Sequence, residues 1–188
     1  MLTIELPETQ YVLSGELSIA YQVFGHGDTD LLYVPGIISH VELMWADADS
    51  RAFLTTLGQH FRVIIFDKRG QGMSDRIEGA TTLEERIDDL RAVMEAVDSK
   101  SATLFGLSEG GPVCLLFAAT YPQKVERLIL FGSMAKFWGS DDYPHSPRIE
   151  RVLENLIANW GKGNFIAMAG PKGGYPADQL QTLSKWER

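Results

Sequence analysis

Four short apolar runs, separated by stretches of helical periodicity, set the strongest limit on how this chain can fold. The runs are DLLYVPG, FRVIIFD, SATLFGLS and VERLILFGS. FRVIIFD shows the pattern best. Its apolar residues follow one another without polar alternation, as in a strand covered on both faces. Between the runs, RAFLTTLGQHF puts Phe53, Leu54 and Leu57 on one helical face, and TTLEERIDDLRAVMEAV repeats Leu83, Ile87, Leu90, Met94 and Val97 at helical spacing. Thr81 with Glu84, or Thr82 with Glu85, offers a capping box at the start of that second helix. GGPVCLLFAATYP reads as a third helix, with Pro122 just past its end. The alternation of strand and helix from Asp30 to Ser133 predicts an α/β fold with a mostly parallel sheet and helices on both faces.

The leading segment TQYVLSGELSIAYQVFG is two alternating runs broken at Ser14-Gly15, which predicts a hairpin adding antiparallel strands at one edge. Beyond Ser133 the character changes. MAKFWGSDDYPHSP is a loop rich in aromatic and turn residues. RIERVLENLIANWG places Ile149, Val152, Leu153, Leu156, Ile157 and Trp160 on one stripe, the pattern of an amphipathic helix. KGNFIAMAGPKGGYP is glycine-rich and irregular, and ADQLQTLSKWER resumes helical spacing through Leu180, Leu183 and Trp186. The expected organisation is a core over residues 1–137 and a small helical subdomain over residues 138–188, ending while still incomplete.

The chain has 188 residues, enough for one domain with a real core, and its 45% hydrophobic and 22% charged residues are those of an ordinary globular protein. A net charge of −8 argues against nucleic acid and against an anionic membrane surface as partners. The single cysteine, Cys114, forbids an internal disulfide and lies in an apolar run, so a buried, inert thiol is expected. MLTIELPETQ lacks the layout of a secretory signal, and no apolar stretch is long enough to span a bilayer. The expected location is the cytoplasm. No His/Cys/Asp/Glu spacing suggests a metal site. GPKGG lacks the spacing of a P-loop and GQG is too short for a dinucleotide fingerprint, so no cofactor is expected.

The residue that asks for an explanation is Ser108. Gly106-Leu107-Ser108-Glu109-Gly110 matches G-x-S-x-G, with an apolar strand directly before it and an apolar helix directly after it. A tight turn there leaves a serine hydroxyl projecting from a strained backbone, and glycines on either side remove the Cβ atoms that would clash where strand meets helix. The helix N-terminus turns free N–H groups and a positive dipole end toward a developing oxyanion. Glu109, the next residue, would supply one such amide. The bland alternative is that Ser108 only caps the helix.

Three motifs together resemble the α/β-hydrolase superfamily over about residues 8 to 188: VPGIISH after the third strand, FDKRGQGMSD after the fourth, and the serine turn itself. Within it, PGIISHVELMW, FDKRGQGMSDR, TLEERIDDLRAVMEAV and GLSEGGPVCLLFAATYP are most similar to a bacterial branch found alone or fused to adenylate/guanylate cyclase domains; no cyclase domain is present here. The resemblance implies an α/β-hydrolase fold that lacks its later strands, with residues 138–188 as a partial helical cap. It implies Ser108 as nucleophile and the backbone N–H groups of Ile37 and Glu109 as the oxyanion hole. Asp67, Arg69 and Ser74 would mainly brace the loop beside the serine.

The family's order of Ser, then Asp or Glu, then His is not completed here. No catalytic histidine or acid is identified in the chain. His145 is the only histidine after Ser108, and it falls in the cap loop. Asp141 and Asp142 read as a solvated pair. His40 follows the oxyanion segment and is expected to orient its loop, His26 to be exposed, and His60 to pack or cap between helix and strand. The expected function is hydrolysis of an ester-like or other acyl small molecule, weak or absent in the chain as it stands. The alternative is a ligand-binding or sensor module that keeps the pocket without using it. Phe137, Trp138, Trp160 and Phe165 of the cap would face an apolar acyl group or pack on the core. An unpaired edge at the sixth strand predicts pairing with a second copy of the chain.

Overall fold

The computed structural model describes residues 6–136, 139–146, 153–154, 157–158, 160, 179–181 and 184–187. Its contacts divide the chain into two compact units, residues 1–135 and 136–188. The first unit contains strands β1 (Gln10–Ser14), β2 (Leu17–Phe24), β3 (Asp30–Val34), β4 (Arg62–Phe66), β5 (Ala102–Leu107) and β6 (Val125–Phe131). Its helices are α1 (Ala48–Gly58), α2 (Leu83–Ala96) and α3 (Gly110–Thr120). The strands form one sheet in the order β1-β2-β4-β3-β5-β6. β2 is antiparallel to both β1 and β4, and β4, β3, β5 and β6 run parallel. This is the mostly parallel sheet with a leading antiparallel hairpin that the sequence pattern predicts. The hairpin turns where expected, with Ser14 opposite Leu17 and Gly15 in the left-handed region at φ 62°.

Period-two alternation divides the central strands between two faces. Leu32, Val34, Ile64, Phe66 and Leu104 pack with Ile87, Leu90, Val93 and Met94 of α2 and with Val113, Cys114 and Phe117 of α3. On the other face Phe53 of α1 touches the rings of Tyr33 and Phe105. Burial on both sides explains why β4 reads as an unbroken apolar run: Val63 through Phe66 are all buried. α2 starts at the second of the two candidate capping boxes. The Glu85 N–H donates to Thr82 Oγ1 at 3.2 Å, and the Thr82 N–H donates to Glu85 Oε2 at 2.8 Å. Two orphan donors of the first turn are thereby satisfied, which contributes about 1 kcal/mol to the helix start.

β6 forms the edge of the sheet among the described residues. It pairs with β5 on one side, and Leu128 to Phe131 are 39% to 66% exposed. In the second unit, Ser140 and Tyr143 form a short bridge, and Leu153, Glu154, Ile157 and Ala158 are helical. Leu153, Ile157 and Trp160 of the expected apolar stripe are each more than 40% exposed. Ile149, Val152, Leu156, Phe137, Trp138, Phe165 and the glycine-rich stretch lie outside the described residues. Leu180 is helical, whereas Trp186 sits in a 3-10 turn, Ser184–Glu187.

Candidate active site

The strand order places the site. β3 connects through α1 to β4 on one side, and β5 enters on the other, so the chain reverses direction across the sheet between β3 and β5. Parallel α/β sheets open a crevice at the carboxyl ends of the strands at such a point. The two segments that leave β3 and β5 there are Pro35-Gly36-Ile37 and Ser108-Glu109. They are adjacent in space. A methyl group placed on Gly36 would lie 3.4 Å from Ser108 Cβ and 3.9 Å from its Oγ.

Ser108 has φ 50°, in the left-handed region that costs an L-residue about 1–2 kcal/mol. Three hydrogen bonds hold it there. Its N–H donates to Phe131 O at 2.9 Å, and its carbonyl accepts from Ser133 Oγ at 2.6 Å and from the Gly111 N–H at 3.1 Å. The turn is tight enough to exclude side chains. A methyl on Gly106 would lie 2.9 Å from Cys114 Sγ, and one on Gly110 would lie 2.3 Å from Val34 O. Ser108 does not cap α3. Glu109 occupies the N-cap position and makes no side-chain capping bond. Among the described residues Ser108 Oγ has no hydrogen-bond partner, and neither the Ile37 N–H nor the Glu109 N–H has an acceptor.

The Glu109 side chain points into a cluster of charge. Lys68 Nζ donates to its Oε2 at 2.8 Å, and Arg86 donates to its Oε1. Burial pushes the Glu109 carboxyl up, but the two cations outweigh it and hold it below the usual glutamate range. Burial also dominates Lys68, 7% exposed, and pulls its ammonium below the usual lysine range against the opposing pull of Glu109. Asp67 is inaccessible to solvent and accepts the Val41 N–H at 3.0 Å and the Met73 N–H at 2.8 Å; burial still raises its carboxyl above the ordinary range. Arg69 makes two bonds to Asp89, and Ser74 links the Asp67 carbonyl to the Ala20 N–H. These contacts are those of a brace, as expected for Asp67, Arg69 and Ser74.

The histidines of the first unit do not reach Ser108 Oγ by hydrogen bonds. His40 Nδ1 accepts from the Leu43 N–H at 3.3 Å and so orients the 3-10 turn that follows it. His26 is exposed. His60 is also exposed, so of its two expected roles it caps rather than packs: its backbone N–H closes α1 on Leu57 O at 3.0 Å. In the second unit the exposed His145 ring stands edge-on to Tyr143 at 5.5 Å. Asp142 accepts from Lys136 at 3.2 Å. Among the described residues no group of three or more His, Cys, Asp or Glu side chains is placed to hold a metal ion, and no helix is long and apolar enough to cross a membrane. Sequence reasoning missed Lys68, Gln71 and Arg86, all of which touch the donor segments. Lys68 and Gln71 lie at the variable positions of a motif read for Asp67, Arg69, Ser74 and its glycines, and Arg86 looks like one more solvated charge on an amphipathic helix.

A strained serine between a parallel strand and a helix, facing a second loop at the sheet's crossover point, defines the nucleophile-elbow class of α/β proteins. A profile of the alpha/beta hydrolase fold matches residues 31–164, and the chain belongs to that family. It is 32% identical over 159 residues to the human serine hydrolase BPHL, covering 79% of this chain and 53% of that protein. It is 28% identical over 127 residues to 3-oxoadipate enol-lactonase 1 of Acinetobacter baylyi, covering 68% and 47%. The chain thus spans about half the length of the curated relatives it matches. Among solved structures, the esterase RhEst1 from Rhodococcus sp. ECU1013 superposes with a TM-score of 0.75 at 22% identity, covering 95% of this chain and 68% of that one.

Proposed function

We propose that the chain carries the nucleophilic half of a serine hydrolase acting on ester-like or other acyl small molecules. The observation that carries this reading is Ser108 itself, held at φ 50° by bonds to Phe131, Ser133 and Gly111 beside the Gly36-Ile37 peptide. Strain of this kind is kept where the surrounding structure enforces it, and here it supports a half-buried hydroxyl that has no hydrogen-bond partner among the described residues and lies beside the Gly36-Ile37 peptide. Ser108 Oγ attacks the carbonyl carbon and gives up its proton. The carbonyl oxygen becomes an oxyanion held by the Ile37 and Glu109 N–H groups, the alcohol or amine departs, and water then releases the acid. The named activities of the relatives support acyl chemistry: one is a serine hydrolase and one an enol-lactonase.

No imidazole of the first unit bonds to Ser108, so within that unit the proton's route is to solvent. Turnover is then limited to what oxyanion stabilisation and binding supply, about 10³–10⁴-fold over water. That same lack of a bonded base favours a second reading, a pocket that binds acyl ligands without turning them over. A p-nitrophenyl acetate assay separates the two. Catalysis predicts a slow release of p-nitrophenol with an acylation burst that Ser108→Ala abolishes. Identical traces for the chain and Ser108→Ala would leave only the binding reading.

A further inference from the structure

The Ile37 donor follows a glycine, so its orientation needs an anchor from outside the loop. Gly36 has no side chain to limit its rotation, and the peptide that carries the Ile37 N–H turns with it. The anchor visible in the structure is the side chain of Gln71. Its Nε2 donates to Ile37 O at 2.7 Å, and its Oε1 accepts the Ser39 N–H at 2.9 Å. The amide orientation is set by this pairing, because a carbonyl on one side requires the NH₂ and an N–H on the other requires the oxygen. One carboxamide thus bonds the backbone on both sides of Ile38, as a neighbouring strand would. Ser39 closes the circuit. Its hydroxyl donates to Gln71 Oε1 at 3.3 Å and accepts the Lys68 N–H at 3.1 Å, and Ser39 is 3% exposed.

We propose that Gln71 is a positioning residue for the Ile37 oxyanion donor, acting through the clasp it makes on Ile37 and Ser39. This rests on Ser108 being a nucleophile. Gln71 does not touch the reacting atoms. It fixes the direction of the peptide chain that leaves Gly36, and therefore where the Ile37 N–H points relative to Ser108. Its position in the chain fits the role. Asp67 and Ser74 tie its own segment to Val41, Met73 and Ala20, so the clasp is mounted on a rigid base.

The test is covalent labelling of the chain with an alkyl fluorophosphonate. Ser108 Oγ attacks phosphorus, fluoride leaves, the proton goes to solvent, and the phosphoryl oxygen occupies the oxyanion position. The inactivation rate constant, the probe's apparent binding constant and the final labelled fraction are read by intact mass. Gln71→Met removes both bonds, and Gln71→Glu keeps an acceptor for Ser39 but removes the donor to Ile37. A misdirected oxyanion donor slows such reactions by about ten- to a hundredfold. Both variants are expected to lose that much in the rate constant, with the binding constant and the final labelled fraction unchanged. A purely structural residue would lower the labelled fraction and leave the rate constant of the folded molecules alone; that result, or failure of both variants to fold, overturns the proposal. An unchanged rate constant in Gln71→Met overturns it while leaving Ser108 as nucleophile. No labelling of the unmodified chain removes both.

Discussion

Replacing Glu109 by alanine strips one carboxylate from two cations, and the structure says what that costs. The side chains are 15% exposed for Glu109, 9% for Lys68 and 21% for Arg86, so solvent screens little of the interaction. In Glu109→Ala the Lys68 ammonium stays buried without its ion-pair partner. Asp67 is the other carboxylate acting on it, and the oxygens of Asp67 are already bonded to Val41 and Met73. Breaking one side of a buried pair in this way costs about 3–5 kcal/mol. Lys68→Met behaves differently. Glu109 keeps Arg86, and an ammonium no longer has to leave water on folding, so the change is about 0–1 kcal/mol in either direction. Thermal unfolding at pH 7, followed by far-ultraviolet circular dichroism, compares the two. At about 2–4 °C per kcal/mol for a chain of this size, Glu109→Ala should melt roughly 6–20 °C below the unmodified protein. Equal losses in Glu109→Ala and Lys68→Met would refute the shared-carboxylate account.

Three further outcomes follow from the same contacts. Ser108→Gly relieves the left-handed conformation and should raise stability by about 1 kcal/mol in urea unfolding while abolishing fluorophosphonate labelling. Gly110→Ala drives a methyl to 2.3 Å from Val34 O and should destabilise by about 1–3 kcal/mol, seen as a lower melting temperature. Burial raises the Asp30 carboxyl, but its two bonds to Arg62 and one to Ser99 prevail and hold it below the ordinary aspartate range. Its stabilising contribution is therefore complete above that range and is lost as pH falls through the folded value; urea midpoints between pH 6 and 3 should fall less steeply in Asp30→Asn.

The fold was legible in the sequence where local chemistry and tertiary environment agree. β4 reads as a buried strand because both of its faces are covered, and α2 reads as a helix because its buried stripe and its Thr82–Glu85 box point the same way. Ser108 was legible for a related reason: the glycines around it answer close approaches by Cys114 and Val34. What stayed hidden depends on pairing across the chain. Gln71 is an ordinary polar loop residue until Ile37 and Ser39 arrive from another strand's end. Lys68 and Arg86 read as surface charge until Glu109 turns inward between them. Its place between α1 and β4 left His60 open to packing or capping, and only the folded chain decides: the ring turns outward and the backbone N–H closes α1 on Leu57 O.

The central claim, that the Ser108 hydroxyl is the reactive group of this chain, is tested most directly by mapping the fluorophosphonate adduct. After labelling and proteolysis, tandem mass spectrometry should find the phosphonyl group on Ser108 and nowhere else, and the adduct should vanish in Ser108→Ala. An adduct on a different residue, or none after prolonged exposure of folded protein, would contradict the claim.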